Sequence, residues 1–204
     1  MRSITRKFPG FEAIFEIGDT FSKAYRGKVE LPPGLPFDDL RLLTRGESSI
    51  TKPLMIKHAM GGGQPKDVIW TTSFYPFIVS KRVIDILYMK EFTGWSKYPV
   101  KVYSKSGELV GGYYGLSIHG RCGPIDYSKS IKVMREFPGG IFPRYKGYYF
   151  DPDSWDGSDL FMPSDGTLFT FVVASVREAF LKAKVSNILF HRADDIEYHP
   201  LCKK

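Results

Sequence analysis

The chain has 204 residues and a mass of 23.2 kDa, with 43% hydrophobic and 25% charged residues. That is ordinary globular usage, long enough for one domain with a real core, and it excludes disorder as a description of the whole. The net charge of +7 and pI near 9.3 point to an acidic partner, nucleic acid or an anionic surface without deciding the fold.

In chain order, Phe11, Ala13, Phe15 and Ile17 alternate with Glu12, Ile14 and Glu16, the period of a half-buried strand. Pro32, Pro33, Gly34 and Pro36 then force a loop, and Asp38 to Arg45 has the makings of a short helix. Gly61-Gly62-Gly63-Gln64-Pro65 is the softest point. It divides a possible N-terminal subdomain or extension, residues 1–60, from the rest of a single domain 1–204, with a soft boundary at 61–66. Ser80 offers an N-cap, and Val83, Ile86 and Leu87 follow at helical spacing, which predicts a helix over 80–91 that ends near Gly94. Strands are expected over Tyr98–Lys105, Glu108–Tyr114 and Tyr114–His119, the first two joined by the turn at Ser106-Gly107, then over 145–150 and 167–174. Thr167 to Ala174 is nearly all apolar or β-branched and should be a central strand. Ser175 and Glu178 have the spacing of a capping box, so a second principal helix is predicted over 175–184, and Val185–His191 is a last strand. The fold class is α+β, with a mostly antiparallel sheet and two principal helices. The expected core contains Phe15, Val83, Leu87, Leu116, Ile118, Phe169, Phe171, Val173, Phe180 and Ile188.

Charge is unevenly shared. Residues 67–150 carry 12 Lys/Arg against 6 Asp/Glu, and residues 151–204 carry 6 against 9. Cys122 and Cys202 lie far apart and imply no disulfide framework. Two thiols, an N-terminus whose apolar stretch is broken by Pro9, Gly10 and Glu12, and no apolar run near about 18 residues predict a cytoplasmic protein with no membrane segment.

Several chemical motifs come close and miss. Gly61–Lys66 lacks the Ser/Thr of a phosphate loop, and Pro65 removes a donor. Asp151 to Asp159 resembles a calcium loop, but Gly157 falls one position late and Met162 stands where Glu is needed. Lys146-Gly-Tyr-Tyr-Phe150 has the start of an RNA-recognition strand, followed by Asp151 and Asp153, which repel phosphate. His119–Cys122 and His199–Cys202 have zinc-compatible spacing within each pair. No triad, paired carboxylate or cofactor loop stands out, so no cofactor is expected.

The most distinctive stretches are Trp95-Ser-Lys-Tyr-Pro-Val-Lys-Val-Tyr, Tyr113 to Ser130 with Gly-Leu-Ser-Ile-His-Gly-Arg-Cys-Gly-Pro-Ile-Asp-Tyr inside it, Trp155-Asp-Gly-Ser-Asp-Leu-Phe161, Val173 to Phe180 and Asn187-Ile-Leu-Phe. Together, over about residues 67–198, they resemble bacterial immunity proteins of polymorphic toxin and contact-dependent competition systems. The resemblance implies a non-enzymatic cytoplasmic protein that binds and neutralises a cognate toxin. Residues 119–130 and 151–161, rich in Gly, Pro, Ser and Asp, must be turns or loops. Arg121, Asp126, Tyr127, Trp155, Asp156 and Asp159 there are candidates either for tying the loops down or for contacting the toxin. Two other functions stay open: a nucleic-acid-binding module using Lys129, Lys132, Arg135, Arg144 and Lys146, and a zinc- or cysteine-dependent enzyme at His119/Cys122.

Overall fold

The computed structural model describes residues 6–31, 36–62, 64–72 and 77–199. A 3-10 turn, Phe11–Ala13, leads into β1 (Ile14–Gly18), followed by β2 (Arg26–Glu30), α1 (Phe37–Thr44), β3 (Leu54–Met60), β4 (Val68–Ile69) and β5 (Phe77–Ser80). Then come α2 (Lys81–Met89), β6 (Trp95–Tyr103), β7 (Leu109–Val110), β8 (Tyr113–Ile118) and β9 (Gly120–Cys122). The hairpin β10 (Ile131–Phe137) and β11 (Gly140–Lys146) precedes β12 (Leu160–Pro163), β13 (Phe171–Val173), α3 (Ala174–Lys182), β14 (Leu189–Arg192) and β15 (Glu197–Tyr198).

The strands form three sheets, ordered β14-β1-β13-β12-β9, β2-β3-β6-β8-β5-β4 with β7 on β6, and β10-β11-β15. The α+β class holds, but two features differ from expectation. The sheets are mixed, because β3 runs parallel to β6 and β9 parallel to β12. A parallel pair needs a long crossover; the first crossover carries α2 and the second carries the β10–β11 hairpin. The second feature is that α1, where a short helix is expected over Asp38 to Arg45, stands as a third helix beside the two principal ones, with Leu40 and Leu43 buried in a second core beside Tyr25, Leu54, Ile56 and Tyr98.

α2 forms where its cap and apolar spacing dictate. Ser80 Oγ accepts from Val83 N at 3.4 Å, and Val83, Ile84, Ile86 and Leu87 are buried. Gly94 follows with φ of 86°, and a Cβ there would meet the Leu160 carbonyl oxygen at 2.0 Å. Only glycine allows the backbone to pass so close at positive φ.

The capping box is not formed. α3 starts at Ala174 with Val173 as N-cap and no side-chain cap, so Ser175 lies inside the first turn. β13 runs directly into the helix, and burial of Phe171, Val172 and Val173 sets the start in place of the cap. β13 is central, as expected, but the strand spans three residues, and Phe169 and Ile188 pack only partly buried against the main core. The other eight expected core residues are buried. No helix among the described residues is long and apolar enough to cross a membrane.

Candidate functional site

Residues 119–130 and 151–161, on either side of the β10–β11 hairpin, are not loop throughout as expected: Gly120–Cys122 form β9, and Leu160 and Phe161 open β12, which pairs with it in parallel. The turns that flank these strands are held by carboxylates that answer backbone N–H groups. Asp156 Oδ2 accepts from Arg121 N at 2.7 Å and Oδ1 from Ser158 N at 2.9 Å, while Asp156 N donates to Arg121 O at 3.0 Å. Asp159, 5% exposed, accepts from Thr93 N at 2.9 Å and Thr93 Oγ1 at 3.0 Å, and its other oxygen pairs with the Arg6 guanidinium. Gly123 N donates to Ser154 Oγ at 2.7 Å, and Asp153 N to Asp151 Oδ1 at 3.1 Å. A loop with this many otherwise unmet backbone donors keeps one shape only when side chains accept from them.

Trp155 is 7% exposed. Its ring packs edge-on to Phe8 at 5.7 Å and tilted against Phe161 at 6.0 Å, the Arg6 guanidinium lies 5.9 Å from its centroid, and its Nε1 donates to Ser158 O at 3.1 Å. Arg121, Trp155, Asp156 and Asp159 are thus brought together. Asp126 and Tyr127 lie on another flank. Asp126 N donates to Tyr149 O at 2.7 Å and its carboxylate accepts from Ser128 N at 3.1 Å; Tyr127 packs edge-on to Tyr198 at 5.5 Å.

Arg121 does not pair with an acid of its own loops. Its Nη1 donates to Ile118 O at 2.8 Å and Gly120 O at 2.9 Å, and its Nη2 reaches Arg45 O and Glu47 Oε1, the latter at 3.0 Å. Arg45 is 4% exposed and donates to Pro163 O at 3.0 Å and Thr167 O at 2.9 Å, with Glu47 at 2.6 Å from Nε. Desolvation works to raise the Glu47 carboxyl, but hydrogen bonds and charge from Arg45 and Arg121 outweigh it and hold it below the usual carboxylate range. Sequence reading missed Arg45 and Glu47, because apart from each other their partners Pro163, Thr167 and Arg121 are more than 70 positions away along the chain and no local pattern marks them.

What residues 151–158 expose is acidic. Asp151, Asp153 and Asp156 are on the surface around the buried Trp155, so the pair forms a fixed edge carrying three carboxylates.

The other candidate chemistry fares differently. Cys122 is buried, and burial, reinforced by Asp165 and Asp156, pushes its thiol up, away from the thiolate a nucleophile needs. His119 is exposed beside it in sequence. Cys202 lies outside the described residues, as do Pro32 to Gly34 and Gly63. Among the described residues no group of three His, Cys, Asp or Glu is placed to hold a metal. Tyr148 and Phe150, which an RNA-reading strand would present, are 4% and 0% exposed and lie in the core. Of the basic residues nearby, Lys146 pairs with Asp195, Arg135 with Glu197 and Lys129 with Asp126; Lys132 is exposed and Arg144 half-buried. A cleft of about 830 Å³ is lined by Ile17, Phe21, Met60, Trp70, Phe77 and Leu168, with the Asp19–Arg26 ion pair at its wall.

No curated protein matches the chain. The model described as "Immunity protein family (Imm11)" matches residues 18–195, so the likeness reaches back beyond 67 through β3, α1 and β2. The chain belongs to the Imm11 immunity protein family.

Proposed function

We propose that this chain is a cytoplasmic immunity protein that binds a cognate bacterial toxin and neutralises it without catalysing a reaction. The observation that carries the reading is the family match across residues 18–195. The loop geometry supports a place for the contact. The edge of Asp151, Asp153 and Asp156 is preorganised, so binding costs little loop ordering, and it suits a toxin whose working surface is cationic. In this arrangement Asp156 touches the toxin, Arg121, Trp155 and Asp159 position the edge, and Asp126 and Tyr127 flank it.

The test is co-expression with the toxic domain encoded beside this chain. Wild type is expected to restore growth and to form a stable complex on gel filtration. A variant carrying D151N, D153N and D156N should bind with a slower, less salt-sensitive on-rate, protect poorly, and melt below wild type because the Asp151 and Asp156 carboxylates accept from loop N–H groups. D153N alone, at an exposed acid, should slow binding in the same direction with its melting temperature kept. Failure of wild type to protect or bind overturns the immunity reading. A triple variant that binds and protects like wild type moves the contact away from this edge and leaves the immunity reading standing.

A further inference from the structure

The edges of the three sheets differ in how they are closed to other strands. β4, β7 and β15 have two residues each, β9 has three and β14 four, and β2 has five with a register shift at Arg26/Gly27. Short or bulged edges of this kind resist pairing with another chain. β10 is the exception. It has seven residues, pairs with β11 in unbroken register from Ile131↔Lys146 to Phe137↔Gly140, and lies at the end of its sheet. It contains no proline, and every residue but the half-buried Val133 is exposed, including Ile131 at 59%, Met134 at 54% and Phe137 at 43%. In an antiparallel pair alternate residues turn their N–H and C=O groups away from the partner, so β10 presents a row of outward donors and acceptors.

The sequence of this edge, Ile-Lys-Val-Met-Arg-Glu-Phe, is complementary to its own reverse. A two-fold axis normal to the sheet through Met134 sets Lys132 opposite Glu136 of a second copy, Ile131 opposite Phe137, and Met134 opposite itself. Moving the axis one residue toward Phe137 sets Arg135 against Arg135; moving it one residue the other way leaves both Lys132 and Glu136 without an opposite charge. Lys132 and Glu136 form no ion pair within the chain among the described residues. Opposite charges facing each other across strands stabilise a pairing and like charges oppose it.

We propose that β10 is a homodimer edge, through which two copies pair antiparallel about Met134 and join their three-stranded sheets into one. The occupant is a second copy of this chain because the edge supplies its own complement in charge and in apolar contacts; this is independent of the toxin reading and needs no toxin.

Sedimentation equilibrium on the full chain tests it. Wild type should dimerise at about 10–100 µM. K132E and E136K each turn two attractive cross-strand pairs into two repulsive ones, and each alone should weaken dimerisation by about tenfold. K132E/E136K should recover wild-type association, and an equimolar mixture of K132E with E136K should form a heterodimer, which also shows that each single variant is folded. A wild type that stays monomeric to about 1 mM, single variants that dimerise like wild type, or a mixture that does not associate each overturn the proposal.

Discussion

The two loops around Trp155 and the hairpin between them have opposite compositions and opposite fates. The loops are rich in Gly, Pro and Asp, the composition of soft surface, yet Trp155 and Asp159 are buried and the carboxylates of Asp151, Asp156 and Asp159 accept from backbone N–H groups. The hairpin is built of strand-forming residues, yet Ile131, Met134, Phe137, Ile141 and Phe142 face solvent and only the two residues of β15 add to its sheet. Composition therefore does not rank order in this molecule. What ranks it is whether polar groups find internal partners and whether aromatics find a core.

The sharpest way to break that comparison is Trp155→Ala. It removes a large buried ring from contact with Phe8 and Phe161 and should cost about 3–5 kcal/mol in denaturant unfolding. If the melting temperature barely moves, the loop is not built into the core.

Next is Glu16, at the base of the hairpin. Its side chain lines a polar cleft with Arg135, Lys146, His191, Asp195 and Glu197. Burial raises its carboxyl to about 7, while Arg135 and Lys146 in the same cleft pair with Glu197 and Asp195. In the unfolded chain the group ionises near 4.5, so between those values the folded state holds more proton. Stability from this group is lost as pH rises from about 4.5 to 7 and then levels off. Glu16→Gln should flatten that slope and stabilise the protein above pH 7 by up to about 3 kcal/mol. Parallel stability–pH curves for the two proteins would contradict it.

Asp159→Asn keeps the shape but weakens acceptance from Thr93 and drops the charge that holds Arg6. A loss of about 1–3 kcal/mol is expected. The control from the other region is Ile141→Ser or Phe142→Ser, both exposed, which should shift stability by no more than about 0.5 kcal/mol. A larger loss would mean the hairpin is packed more like the loops.

The same contrast explains what was legible in the sequence. α2 was readable because Ser80 caps it and Val83, Ile86 and Leu87 face one core. β6 and its turn at Gly107 were readable because alternation reports a half-buried strand; β8 was readable from its Leu116 and Ile118, although it is buried on both faces, with Ser117 bonded to Leu43 O. The strand expected over 145–150 catches only the end of β11 and stops at Lys146, since 147–150 is not strand; the rest of the β10–β11 hairpin escaped because neither of its faces is buried along its length, so apolar and charged residues carry no period of two, and Pro138, Gly139 and Pro143 read as loop. Pro143 lies opposite Met134 at a level of β11 that β15, pairing only with Tyr145 and Lys146, does not reach, so β11 is paired on one side there and can hold a proline. The six candidate residues were named as a set, but their split into buried ties and exposed acids depends on Thr93, Arg6, Arg45 and Glu47, which only the tertiary fold brings near. Local pattern shows which residues form turns, and distant partners decide whether those turns are rigid.

The most direct test of the central claim is native-state hydrogen exchange, residue by residue, in dilute solution. The amides of Thr93, Arg121, Gly123 and Leu160, bonded across the loop pair, should exchange only through large-scale unfolding, while alternate amides along β10 exchange quickly. Loop amides exchanging as fast as those of the β10 edge would contradict the account, because the acidic edge would then be mobile and not a surface held ready for a partner.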